Sequence, residues 1–215
     1  MDVAHTAFAG DFFLKPKAAL RSQMLKARRA QLSTDVQLKG DQAQKRLLAL
    51  PFFQSARTVA LYAGLVDEVA TDLLAQDVWQ RLGTVCFPRV VPGSRVLDFH
   101  RVAPGDSLVE GPPPFRLREP SANAERVELD AVDVVVVPGL AFTRSGARLG
   151  YGGGYYDATL AMLRPDALAV GLCFELSVVA DLPMNERDVA VAWVVSEQAA
   201  TRTTAAGAPR PRAIP

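Results

Sequence analysis

The densest chemistry in the chain lies in one run: Arg148, Leu149, Gly150, Tyr151, Gly152, Gly153, Gly154, Tyr155, Tyr156 and Asp157. Successive glycines let the main chain take φ > 0 and approach a ligand closely, so adjacent N–H groups converge on one anion. A helix opening at Gly154 adds its positive N-terminal dipole to the same place. Arg148 sets a permanent forked cation before the turn, and Asp157 a hard oxygen ligand after it. Phosphate and Mg²⁺ suit that arrangement; by composition alone, so does a tight turn with no ligand. Two common nucleotide loops are excluded. A P-loop ends in Gly-Lys-Ser/Thr where this chain has Gly153-Gly154-Tyr155, and the dinucleotide fingerprint needs a glycine where Tyr155 stands.

Other candidates are weaker taken alone. At roughly 100° per residue, Arg21 and Arg28 fall about 40° and 20° from Lys17, beside an apolar stripe of Leu14, Leu25 and Leu32. Cations bordering a buried face can simply reach out to water. Glu68, after a strand, reads as a loop charge or a helix-start carboxylate. Tyr151, Tyr155 and Tyr156 suit a core, or stacking on a flat ligand. His5 and His100 have no partners that suggest a triad or a metal site.

The order Pro138-Gly139-Leu140-Ala141-Phe142, Gly146, then Arg148 through Asp157 closely resembles the signature of the 5-formyltetrahydrofolate cyclo-ligase family, also called 5,10-methenyltetrahydrofolate synthetases. Lys17 and Arg21 match the family's opening Lys-x-x-x-Arg, and Tyr62, Glu68, Val69 and Thr71 match its Tyr, Glu-Val and Thr. Pro88-Arg89, Glu119-Pro120, Gly171-Leu172 and the segment Leu182 to Asp188 follow in family order, so the resemblance spans roughly residues 17 to 197. Departures are Ala70 for the usual Asp, Gly64 for a frequent Pro, Arg187 for His and Ser177 near a Gln.

The resemblance implies ATP-dependent conversion of 5-formyltetrahydrofolate to 5,10-methenyltetrahydrofolate, with ADP and phosphate released. It makes Arg148 and Lys17 the catalytic cations. Lys17, Arg21, Arg148, Leu149, Gly150, Tyr151, Gly152, Gly153, Gly154, Tyr155 and Tyr156 become the ATP site. Tyr62, Glu68, Tyr151, Gly153 and Tyr155 become folate contacts, and Asp157 the Mg²⁺ ligand. Arg28 keeps its reading as an edge cation reaching water. Two alternatives stay open: a sugar-phosphate isomerase-like enzyme, which would want a base beside the turn, and a catalytically silent folate or nucleotide binder.

The elements that must position these residues alternate strand and helix. Helices are expected over 17–32, from after the Ser33-Thr34-Asp35 caps to about Leu50 (ended by Pro51), from a Thr71 cap to about Leu82 and over 154–163, and strands over 58–62, 84–87, 96–101, 132–137, 168–174 and 189–195. The β-branched run from Val132 marks a strand covered on both faces. The expected fold is therefore α/β, a three-layer, open, mainly parallel sheet flanked by helices, Rossmann-like, with ligands at the carboxyl ends of its strands. The three prolines from Pro112 assign 104–123 to a stiff surface loop or lobe connection. Residues 1–16 read as an extension, 17–198 as one domain, and 199–215 as a disordered tail.

With 215 residues, 49% of them hydrophobic, the chain can support one substantial core. A net charge of +1 with both signs mixed along the chain argues against a general nucleic-acid surface. Cys86 and Cys173 fall in apolar runs and make neither a disulfide framework nor a metal cluster. No apolar stretch is long enough to cross a bilayer, and no cationic-then-apolar leader opens the chain. A cytoplasmic enzyme for a small-molecule folate, without nucleic-acid or membrane partners, is the expectation. A monomer is expected too, though the residues do not fix the oligomeric state.

Overall fold

The computed structural model describes residues 17–113 and 116–204. In chain order the elements are α1 (Lys17–Arg29), α2 (Ser33–Leu48), α3 (Pro51–Ser55), β1 (Thr58–Ala60), α4 (Asp72–Gln80), β2 (Thr84–Arg89) and β3 (Asp98–Arg101). There follow β4 (Val109–Glu110), β5 (Arg118–Glu119), β6 (Arg126–Val127), β7 (Val134–Val137), β8 (Ala141–Thr143) and β9 (Arg148–Leu149). The chain then forms α5 (Tyr155–Leu160), β10 (Leu168–Leu172), β11 (Val178–Val179), β12 (Trp193–Val195) and β13 (Ala200–Arg202).

Every side chain of β7 is buried because a strand's period of two sends alternate residues to opposite faces and both faces are covered. Val134 and Val136 join a core with Leu47, Phe53, Leu74 and Val78 of α2, α3 and α4. Val135 and Val137 join the opposite core, with Phe142, Leu160 and Val194. Two cores separated by one sheet make the three layers. The main sheet runs β13-β12-β10-β7-β1-β2-β3-β6, its five inner strands from β12 to β2 parallel and its outer pairings antiparallel. The expected mainly parallel α/β sheet is therefore present. A smaller sheet, β11-β8-β9, stands apart from it.

That smaller sheet determines where α1 goes. Leu20 and Met24, one turn apart on α1, pack with Leu140, Ala141, Leu149 and Leu182 rather than against the main sheet. The basic edge of the helix is thereby laid along the glycine turn.

Four expectations need correction. Pro51 does end α2, but it also starts α3, since proline's fixed φ suits a first helical turn. The 104–123 segment is no plain loop, because β4 and β5 pair as a short hairpin on either side of the prolines. The last helix is only six residues, Tyr155–Leu160, so its dipole is small. The tail does not begin at Ala199, because β13 pairs with β12 and Thr203 Oγ1 donates to the Val191 carbonyl. Composition missed this because an open strand edge satisfies its main-chain groups with any extended segment that reaches it. The expectations for residues 1–16, for His5 and for 205–215 lie outside the described residues.

Candidate active site

At the carboxyl ends of β1, β2 and β7 lies a cavity of about 400 Å³, a volume suited to a small-molecule ligand. Lys17, Arg21, Tyr62, Glu68, Arg148, residues 149–156 and Asp157 all line it. Positions from α1, the β1–α4 connection and the glycine turn thus share one surface.

The cationic wall is built around the turn. Arg21 Nε donates to the Gly150 carbonyl at 2.8 Å, tying α1 to the turn. Lys17 is ion-paired with Asp188. Arg148 is buried, its guanidinium 5.6 Å from the centre of the Tyr156 ring, and its Nη2 donates to Asp157 Oδ1 at 2.9 Å. Arg148 Nε has no hydrogen-bond partner among the described residues. Gly152 and Gly154 take φ of +110° and +72°, which side-chain-bearing residues rarely adopt. No group among the described residues accepts a hydrogen bond from the main-chain N–H groups of residues 150–154. These amides remain available to an anion.

The same cavity holds a carboxylate in a network. Glu68 Oε1 accepts from the Tyr151 hydroxyl at 2.7 Å and Oε2 accepts from the Leu65 N–H at 3.0 Å. Arg28 is not an edge cation reaching water: only 2% exposed, it hydrogen-bonds Tyr151, Gly139 and Asp67 and approaches Glu68. Helical angle gave its direction but not what the helix meets. Burial acts to lower its pKa, yet Glu68, Tyr151 and Asp67 outweigh that and hold it above its ordinary value.

The tyrosines divide. The Tyr62 hydroxyl donates to the Val69 carbonyl at 2.7 Å, so Tyr62 offers the cavity its ring. Tyr156 lies beneath Arg148, and burial raises its pKa. The Tyr151 hydroxyl is committed to Glu68 instead of standing free beside the turn. Asp157 is also less free than expected, since Oδ1 is paired with Arg148 and accepts from the Val189 N–H at 3.3 Å. Its other oxygen has no partner among the described residues.

Several lining residues were not singled out. Asn185 and Asp188 reach the cavity from a turn in which Asp188 Oδ2 accepts from the Asn185 N–H at 2.7 Å. Glu119, held by Arg89 at 3.0 Å and by the Val90 N–H at 3.1 Å, closes another side with Leu117 and Arg118 of the hairpin. Glu119, Asn185 and Asp188 had the signal of segments in family order; Leu117 and Arg118 had none. Among the described residues no group of three or more His, Cys, Asp or Glu side chains is gathered as for a metal ion. His100 is away from the cavity, its Nδ1 2.7 Å from the Ala124 carbonyl.

Fixed cations, main-chain amides unbonded among the described residues and a buried carboxylate, all lining one cleft of an open sheet, define an α/β fold with a site suited to an anionic small molecule. The chain belongs to the 5-formyltetrahydrofolate cyclo-ligase family, whose model matches residues 14–197. It is 31% identical over 180 residues to the 5-formyltetrahydrofolate cyclo-ligase of Escherichia coli K12, covering 80% of this chain and 96% of that one. It is 27% identical over 193 residues to the mouse cyclo-ligase, covering 84% and 93%. The structure of Aquifex aeolicus 5,10-methenyltetrahydrofolate synthetase superposes with a TM-score of 0.75 at 29% identity, covering 93% of this chain and 96% of that one. Membership of this family sets aside the sugar-phosphate isomerase reading.

Proposed function

We propose that this protein converts 5-formyltetrahydrofolate to 5,10-methenyltetrahydrofolate at the expense of ATP. The observation that carries the proposal is the convergence on one cavity of Lys17, Arg21, Arg148, Glu68 and the amides of residues 150–154, which are unbonded among the described residues.

The formyl group on N5 is an amide, so resonance makes its carbon a poor electrophile and its oxygen a poor leaving group. Moving the γ-phosphoryl group of ATP to that oxygen corrects both. N10 then attacks the carbon and loses its proton, and the oxygen departs with inorganic phosphate as the second C–N bond forms. Such chemistry asks for in-line placement and charge neutralisation more than for a protein nucleophile. Amides 150–154 cradle the phosphates, Arg148 and Lys17 balance the charge on the transferred group, and Arg21 holds the turn against α1 while adding its own charge. Glu68, with the rings of Tyr62, Tyr151 and Tyr155, holds the folate.

The residues present fit Mg²⁺. The unpaired oxygen of Asp157 and the carboxylate of Asp188 face the same cavity as hard oxygen donors, and this ion takes few carboxylates when it also binds phosphates. Held by Asp157 and Asp188, Mg²⁺ would supply positive charge to neutralise the phosphates.

Mixing purified protein with 5-formyltetrahydrofolate, ATP and Mg²⁺ should produce the near-ultraviolet absorbance of the methenyl product, in proportion to ADP formed. Binding of both ligands with no absorbance change would instead identify a silent binder.

A further inference from the structure

We propose that Arg28 is a positioning residue for the folate half of this reaction, acting through the Tyr151 hydroxyl to fix the carboxylate of Glu68. The inference rests on the reading of Glu68 as a folate contact.

Arg28 lies about three helical turns beyond Lys17, where α1 crosses behind the cavity. Its Nη2 lies 3.0 Å from Asp67 Oδ1 and its Nε donates to the Asp67 carbonyl at 2.9 Å. Nη1 donates to the Tyr151 hydroxyl at 3.1 Å and to the Gly139 carbonyl at 3.4 Å. A guanidinium carries donors only, so the Tyr151 oxygen can only accept from it. The hydroxyl's single proton is then directed to Glu68 Oε1, 2.7 Å away, while the Leu65 N–H holds Oε2. Arg28 Nη1 also stands 3.6 Å from Glu68 Oε1, close enough to balance its charge.

Glu68 and Tyr151 line the ligand cavity, whereas Arg28 does not. Behind the carboxylate, the space shared by Arg28, Asp67 and Glu68 is about 10 Å³, at the lower limit for one water. With Arg28 in place, the guanidinium rather than bulk solvent therefore faces the back of Glu68. The carboxylate is held with its remaining lone pairs toward the cavity, where a cyclic amide–amine edge such as that of a pterin offers matching N–H donors. Removing Arg28 frees the Tyr151 hydroxyl to turn its proton elsewhere and takes away the cation paired with Glu68 among the described residues. Tyr151 belongs to the glycine turn, but the bonds run through its hydroxyl and leave the main-chain amides of residues 150–154 uninvolved.

The test compares Tyr151→Phe, Arg28→Met, Arg28→Lys and the Phe/Met double variant with wild type, reading KM for each substrate, folate Kd by titration calorimetry and Tm. Tyr151→Phe removes one oxygen, keeps the ring, and leaves the main-chain amide intact, so it carries the test even where Arg28→Met fails to fold. Loss of a bond to a charged group should raise the folate KM and Kd by roughly ten- to a hundred-fold in each single variant. Nucleotide KM should stay within about twofold, and the double variant should be no worse than the poorer single one, because both break the same chain. Arg28→Lys should recover part of the folate affinity. An unchanged folate KM in Tyr151→Phe overturns the proposal, as does an equal rise in both KM values or an additive double variant. A wild-type protein that forms no methenyl product sinks the activity as well, whereas an active wild type with an indifferent Tyr151→Phe sinks only the role of Arg28.

Discussion

Arg148 combines features that pull against each other in a purely structural residue. It is buried, it has one carboxylate partner, and its Nε finds no acceptor among the described residues. A guanidinium that lines the cavity beside unbonded main-chain amides, with a single carboxylate partner, has donors to offer to phosphate oxygens. Arg148→Ala should lower kcat by on the order of 10²–10³-fold and raise the nucleotide KM, measured by initial rates under saturating folate. Unchanged kinetics would remove Arg148 from the site. Arg148 and the glycines were legible in the chain because their chemistry is concentrated within a few consecutive positions. Arg28 was not, because the same helical angle that puts it beside Lys17 holds equally for a helix edge in water and for one buried behind Glu68.

At the scale of elements, the glycine turn depends on main-chain shape and β13 on edge pairing. Gly152→Ala places a Cβ on a φ of +110°, a strain of about 1–3 kcal/mol that the turn can relieve only by changing shape. The expected result is a raised nucleotide KM with the folate KM much less affected. Thr201→Pro removes an N–H from the strand opposite Val194, and should lower Tm by several degrees while leaving both KM values near wild type. A Tm equal to wild type would show that β13 adds nothing to the sheet. The covered strands were readable from their β-branched runs. The hairpin of β4 and β5 was hidden by the prolines between its strands, which exclude sheet at their own positions without excluding it on either side.

Across the whole molecule, ligand and proton linkage make the reading measurable. Nucleotide at about a hundred times its Kd should stabilise the fold by roughly 2.7 kcal/mol, seen as a raised Tm that Arg148→Ala diminishes. Burial pushes the Cys86 thiol from its usual 9.0 up to about 12, and burial also raises Cys173, Tyr62, Tyr151 and Tyr156. Each group stays protonated in the folded state at pH values where the unfolded chain has released its proton. Stability from this source is therefore complete below pH 9 and is lost as pH rises from 9 toward 12. A Tm that holds level through that window would contradict the burial of these groups. Among the described residues no helix is long and apolar enough to cross a membrane.

By itself the amino-acid order determined the chemistry of the glycine turn, the covered strands and the α/β alternation, because main-chain freedom, charge type and pleat period are properties of near neighbours. Tertiary structure decided what those residues face. Arg21 reaches Gly150 across 129 positions, Arg28 reaches Tyr151 across 123, and Lys17 meets Asp188 across 171. Nothing local in α1 encodes these meetings. They follow from Leu20 and Met24 docking on the small sheet beside the turn, a packing choice that exists only once β8 and β9 have formed.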